Sequence, residues 1–242
     1  MTLLAVDASG KTSSTAIMRD NEIVCEQFLN VGLTHSETFL TQIDRAFGEV
    51  GISPRDIDYY AITVGPGSFT GLRIAIATIK GLAFQLDTPC VAISTLEALA
   101  EHTTIAFEPA IILPVIDAKR NRVYTAAYMM HSPHDKQQLL DDCILTFEQL
   151  RDYLSRIKHP VVFVGDASSR CYDYCFDIAN CLPPSTTYEN IYAGSVAEVA
   201  LRKIASNDTI APAALVPVYL QLSQAERNKL EMERTEHDSI GE

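Results

Sequence analysis

No stretch of this 242-residue chain offers about 18 consecutive apolar residues, so no membrane-spanning helix is expected. The opening Met1-Thr2-Leu3-Leu4-Ala5-Val6-Asp7 has no basic leader and reaches a carboxylate too soon for a secretory signal, so the expected compartment is the cytoplasm. Positive charge is scarce: 19 Lys and Arg face 31 Asp and Glu, a formal net charge of -12. Phosphate backbones demand a positive footprint, so no broad nucleic-acid surface is expected except through a basic partner. Histidine occurs only at scattered positions: His35, His102, His131, His134, His159 and His237. The closest pair, in His131-Ser132-Pro133-His134, sits in a turn without companion ligands. A Gly-x-Ser-x-Gly nucleophile elbow is missing too. No catalytic group assembles, and no metal-binding residues are assigned.

Cysteine is present, as Cys25, Cys90, Cys143, Cys171, Cys175 and Cys181. A chain with 47% apolar residues builds a core without disulfides, so these read as reduced, mostly buried small side chains. The spacing of Cys171, Cys175 and Cys181 matches no strong zinc pattern.

What is present alternates between strand and helix periods. Leu3 to Asp7, Ser14 to Met18 and Ile23 to Leu29 read as short strands, with a hairpin turn at Asp20-Asn21. Phe39, Ile43, Ala46, Phe47 and Val50 recur at helical spacing, predicting a helix from His35 to Val50 that Gly51 stops. A strand from Tyr59 to Val64, a helix from Ser68 to Leu86, a strand from Cys90 to Ile93 and a helix from Thr95 to His102 complete an α/β unit. The order then partly repeats. Strands are expected at Ile111 to Asp117, Val123 to Met129 and Val161 to Gly165. Helices are expected at Phe147 to Ile157, Ser168 to Phe176 and Ala193 to Ile204. Ser223 to Glu242 reads as a polar tail or a partner-dependent helix.

Two turns invite a ligand. Asp7-Ala8-Ser9-Gly10-Lys11-Thr12 ends like a P-loop, but Ala5 stands where the first glycine belongs and a strand follows instead of a helix. A strand-turn-strand with Asp7 at its exit remains compatible with a phosphate hairpin, or with turn residues that only satisfy their own backbone. Gly65-Pro66-Gly67-Ser68-Phe69-Thr70-Gly71 departs from the dinucleotide fingerprint, because its third glycine falls one place late and Pro66 intrudes. Such a turn either offers helix-start amides to phosphate or lets the helix pack closely.

The helix that follows has two faces without a clear polar side. Leu72, Ala75, Ile76, Ile79, Leu82, Ala83 and Leu86 form one, while Phe69, Arg73, Ala77, Lys80 and Phe84 lie toward another. The helix before it mixes Leu40 and Phe47 with Glu37 and Arg45. One packing surface toward a sheet and a second toward a partner account for both.

Several pieces together resemble the TsaB (YeaZ) family of bacterial tRNA threonylcarbamoyladenosine biosynthesis proteins. They are Leu4-Ala5-Val6-Asp7-Ala8-Ser9, His35-Ser36, the run from Gly65 to Ile74, Lys80-Gly81-Leu82-Ala83, Ile93-Ser94-Thr95-Leu96, Asp117-Ala118-Lys119 and Pro217-Val218-Tyr219-Leu220. The resemblance implies an α/β chain of the actin-like ATPase (ASKHA) fold with two related βββαβαβα-type domains, the second reduced. The expected division is 1–106, then 107–222 with a helix near 193–204 returning to the first domain, then a polar tail at 223–242. It also implies a non-catalytic subunit that pairs with TsaD and supports TsaE-dependent formation of N6-threonylcarbamoyladenosine at position 37 of tRNAs reading codons that begin with adenine. tRNA would be reached mainly through the complex, and a homodimer would form when TsaD is absent.

Residue by residue, the resemblance puts the partner interface on His35, Leu40 and Phe47 of the first helix and Phe69, Arg73, Ala77, Lys80 and Phe84 of the second. It puts a nucleotide contact on Asp7, Ser9, Gly65 and Gly67. No intrinsic cofactor is implied with certainty, and ATP or ADP would bind at a complex interface or in a degenerate cleft. Catalytic TsaD-like relatives carry an Asn-His-x-Glu-Gly-His pattern, where this chain has Ser94-Thr95-Leu96-Glu97-Ala98-Leu99. Thr95 and Leu99 take the histidine places, which argues for a non-catalytic paralogue. An autonomous actin-fold phosphotransferase is the main alternative. An M22-like metallopeptidase is a weaker one, lacking its metal histidines.

Overall fold

The computed structural model describes residues 1–32, 34–101, 109–132, 135–178 and 180–221. The polar tail at 223–242, and with it His102, His134 and His237, lies outside the described residues.

The chain opens as an antiparallel meander of β1 (Thr2–Asp7), β2 (Ser13–Arg19) and β3 (Glu22–Leu29). Asp20 and Asn21 make the β2–β3 turn with φ of 50° and 68°, a region that short polar side chains tolerate. Helix α1 (His35–Val50) starts on a capping box between Thr34 and Glu37 and ends on Gly51 in the left-handed region. β4 (Tyr59–Gly65) pairs parallel with β1, α2 (Phe69–Phe84) follows, and β5 (Cys90–Ser94) pairs parallel with β4 before α3 (Thr95–Glu101). The sheet order is β3-β2-β1-β4-β5.

The same succession is then laid down again. It runs β6 (Ala110–Asp117), β7 (Arg122–Ser132), β8 (Asp135–Thr146), α4 (Phe147–Leu154), β9 (Val161–Val164), α5 (Ser168–Cys175), β10 (Cys181–Leu182) and α6 (Ala193–Ala205). Its sheet, ordered β10-β9-β6-β7-β8, repeats the first strand for strand. This is the duplicated βββαβαβα arrangement of the actin-like ATPase fold. The second copy is shortened in places: α4 and α5 have 8 residues each where α1 and α2 have 16, and β10 has 2.

β8 corrects the sequence reading, which left Asp135 to Thr146 without a strand. Gln137, Gln138, Asp141 and Asp142 hide the alternation, and β8 lies at a sheet edge paired to β7 across several register shifts. Pairing with β7, rather than propensity, makes it a strand.

The strand period of two sorts β1 between two layers. Leu4 and Val6 face α1 and α2, packing with Phe39, Ile43 and Ile79. Leu3 and Ala5 face inward, into a core shared with Ile112 and Tyr128 of the second sheet and with Leu99 and Val196 of the helices between. Those helices cross over. α3 packs on β6 and β7, while α6 packs on β1 and β2 of the first sheet. Glu101 of α3 ties the crossing together, accepting from Arg202 of α6 at 3.0 and 2.7 Å and from Lys136 of β8 at 3.4 Å. Each fully buried large apolar side chain in such a core contributes about 1.5–3 kcal/mol.

Candidate functional site

Two features stand out on this frame: a cleft between the two units, and the outward face of α1 and α2.

Asp7 ends β1 at the floor of the cleft, and it is 1% exposed. Its Oδ1 accepts from the Ser9 amide at 3.2 Å, the Ser9 hydroxyl at 2.6 Å and the Thr63 hydroxyl at 2.5 Å. Its Oδ2 is buried without a hydrogen-bond partner among the described residues. Burial raises the Asp7 pKa above the usual carboxylate value, and the Ser9 and Thr63 bonds only partly oppose this. Across the cleft, just after β9, Asp166 accepts from the Asp117 amide at 2.9 Å and is likewise raised by burial. Ser9, Lys11, Thr12 and Glu189 are also part of the inner lining.

The outer lips are two hairpin turns. Ser9, Gly10 and Lys11 belong to the β1–β2 turn, Lys119 and Arg120 to the β6–β7 turn and Arg122 to the start of β7, and Gln221 lines the same mouth. Lys119 reaches Asp117 at 2.8 Å. Burial alone would push the Asp117 carboxyl up, but the Lys119 hydrogen bonds and charge, with Arg170, hold it below its ordinary value.

The glycine segment stands beside this cleft as a packing device. The Ser68 amide donates to Ser9 O at 2.6 Å, so it is already engaged, and the Ser68 hydroxyl caps α2 by accepting from Gly71 N at 3.2 Å. Gly65 has a φ of 130°, and a Cβ there would lie 2.3 Å from Val218 O. Gly67 lines the outer cleft but abuts the Ser9 carbonyl. Of the four nucleotide candidates, Asp7 and Ser9 line the inner cleft, Gly67 its rim, and Gly65 packs beneath the 218 backbone.

The helical face also divides. Leu40 is 58% exposed, Phe84 79%, and Ala77 is open as well. Lys80 is half-buried. Phe47 is a correction: at 6% exposure it belongs to the core beneath α1, because its position in the helical period points it at the sheet rather than outward. His35 is half-buried, with Nε2 bonded to Gly10 O at 2.9 Å, and so steadies the β1–β2 turn. Phe69 and Arg73 are exposed but engaged with Tyr219: the two rings stack at 4.9 Å, and Arg73 Nε donates to the Tyr219 oxygen at 3.0 Å.

Sequence reasoning assigned no role to Asp166, Gln221 or Tyr219. The first was within reach, since the duplicated order places it after β9 as Pro66 stands after β4. The other two depend on where the segment after α6 returns. Leu99, at one of the two histidine places, is 2% exposed inside the shared core, and Thr95 is fully buried. Among the described residues, no group of three or more His, Cys, Asp or Glu is placed to share a metal ion. No described helix is long and apolar enough to cross a membrane.

Residues 30–229 match the family model described as TsaD: tRNA N6-adenosine threonylcarbamoyltransferase. The chain is 29% identical to the tRNA threonylcarbamoyladenosine biosynthesis protein TsaB of Bacillus subtilis (strain 168), over 97% of this chain and 100% of that protein. It is 35% identical to the protein of the same name from Haemophilus influenzae, over 51% of this chain and 52% of that one. The solved structure of YeaZ from Pseudomonas aeruginosa shares the fold, with a TM-score of 0.73 at 23% identity, covering 90% of this chain and 100% of that one.

Proposed function

The chain belongs to the TsaD threonylcarbamoyltransferase family and, within it, to the TsaB (YeaZ) group; from that premise we propose that it is a non-catalytic subunit of tRNA threonylcarbamoyladenosine biosynthesis. In this reading it pairs with TsaD through the outward face of α1 and α2 and supports TsaE-dependent modification of adenosine 37. The observation that carries the reading is the exposure of Leu40, Ala77 and Phe84 on two adjacent helices whose other faces are already buried on a sheet. Apolar surface of that kind is what a protein partner covers. Leucine and buried threonine at the histidine places support a subunit that does not hold the catalytic metal itself.

For ATP or ADP the residues fit only in part. Asp7, with its unpartnered oxygen, and Lys11 suit a cation-bearing phosphate group in the inner cleft. The glycine segment does not offer a cradle, because the Ser68 amide is taken by Ser9 and the glycines are filled by neighbouring carbonyls. Nucleotide is therefore proposed to bind where the complex completes the site, and no chemical step is assigned to this chain. The proposed role is in the cytoplasm, and engagement of tRNA mainly through the partners accords with the charge of -12.

The test is reconstitution with purified TsaD and TsaE, threonylcarbamoyl-adenylate and tRNA, omitting each protein in turn. Modified tRNA should fall to background when this chain is left out; modification that proceeds unchanged would overturn the reading. Substantial ATP turnover by the chain alone would favour the phosphotransferase alternative instead.

A further inference from the structure

The segment that follows α6 returns to the first unit. After the turn Pro212–Ala214, which packs on α2, Leu215 is fully buried in the core beneath that helix. The chain then runs toward the start of α2, and the Val218 amide donates to Val64 O at 2.7 Å. Tyr219 stacks on Phe69 and accepts from Arg73 Nε, while the Arg73 guanidinium lies 3.8 Å from the centre of the Phe69 ring. Two residues later the Gln221 Oε1 accepts from Arg122 Nη2 at 3.3 Å.

These contacts join opposite lips of the cleft. Phe69 follows Ser68, whose amide bonds Ser9 O in the β1–β2 turn. Arg122 closes the β6–β7 turn: its amide donates to Lys119 O at 3.3 Å, and its carbonyl accepts from the Ala118 amide at 3.0 Å. One end of this heptapeptide is thus pinned to the first unit and the other to the second, across the mouth lined by Gly67, Lys119 and Gln221. The pin on the first unit is exposed, since Phe69 and Tyr219 each keep 37% of their surface and Val218 keeps 47%. Exposed contacts of this kind open locally far more often than the core does.

We propose that residues 215–221 are a strap that couples the exposed start of α2 to the width of the interdomain cleft. With Tyr219 seated against Phe69 and Arg73, the strap holds Arg122 and the β6–β7 turn toward the β1–β2 turn. A protein that draws Arg73 or Phe69 into its own contacts unseats Tyr219 and lets the second lip move; this last consequence rests on the docking face proposed above, whereas the strap itself does not. Tyr219 is a positioning residue here, acting on the cleft through Gln221 and Arg122.

The experiment uses the full chain alone, so that its result is independent of any partner. Amide hydrogen exchange is followed by NMR at Val218 for the strap, at Ala118 for the far lip, and along β1 as a control for the fold. In Tyr219→Ala, exchange at Val218 and Ala118 should both rise more than tenfold while β1 is unchanged. Tyr219→Phe keeps the ring stack and should raise each less than threefold. Faster exchange at Val218 with Ala118 unaltered would overturn the coupling, as would no change at either. Should Tyr219→Ala fail to fold, Arg122→Ala carries the test from the other end: a tenfold rise at Val218 supports the strap, and an unchanged rate sinks it.

Discussion

A methyl carbon added to Gly71 would lie 2.1 Å from the carbonyl oxygen of Ala8. Helix α2 therefore rests directly on the turn that leaves β1, and that turn carries Asp7 and Ser9 on the floor of the cleft. The glycine segment sets the approach of a helix to a strand end, and the outward face of that helix is what remains for a partner.

Gly71→Ala follows from that contact. The backbone of Ala8 cannot yield as a side-chain tip would, so α2 must lift from β1. The expected cost is about 1–3 kcal/mol, as for overpacking elsewhere. Urea denaturation of the two proteins measures it, and equal midpoints would show that the helix has room to spare.

Phe47 and Phe84 should separate fold from docking. Phe47→Ala opens a cavity under α1 and should cost about 3–5 kcal/mol. Phe84→Ala removes an exposed ring and should leave stability within about 0.5 kcal/mol, yet weaken binding to TsaD. Thermal unfolding paired with a binding titration reads both quantities from the same two preparations.

Ala77→Asp and Leu40→Asp put a carboxylate on the outward face without touching the sheet. Each should weaken TsaD binding at least tenfold, about 1.4 kcal/mol, with an unaltered far-ultraviolet circular dichroism spectrum. Arg73→Glu is a less clean probe, because Arg73 also holds Tyr219. Calorimetric titration at wild-type affinity for both aspartate variants would remove this face from the interface.

Glu101 should make stability depend on acid pH. Burial alone would raise its pKa, but the Arg202 bonds and the Lys136 charge outweigh it and hold the pKa below the ordinary value. A carboxylate depressed in the folded state binds fewer protons there than when unfolded, so it stabilises above its unfolded pKa. That contribution is lost as pH falls through the lower folded value. Glu101→Gln should therefore destabilise the protein at neutral pH, by less than the about 3–5 kcal/mol of a fully buried pair, because the Arg202 side chain is 45% exposed and screened by solvent. The difference from wild type should shrink as both are titrated into acid. A gap that stays constant with pH would mean that packing, and not charge, is what the substitution removed.

The elements were largely legible because each periodic run is also buried on one side. α1 was expected from His35 to Val50 and occupies those residues, since its apolar spacing, Thr34 and Gly51 all agree. α2 begins at Phe69, one residue after the expected Ser68, because Ser68 is the cap itself. β8 was not legible: its polar sequence carries no period, and only pairing with β7 orders it. Within the candidate site, Asp7 and the glycines announced themselves through residue type. Phe47 was misplaced by the resemblance, which assigned it to the partner face, whereas its spacing with Phe39, Ile43 and Ala46 already set it on the face that meets the sheet.

The sequence by itself determined the local units: apolar period, caps and turn residues specify strands and helices through interactions a few residues apart. It also determined that the chain carries no histidine pair at the places where catalytic relatives hold metal. Tertiary structure alone decided the rest. Tyr219 meets Arg73 across 146 positions, and Gln221 meets Arg122 across 99. Such contacts leave no periodic trace, because they arise when two duplicated sheets share one core and the segment after α6 returns over the cleft between them.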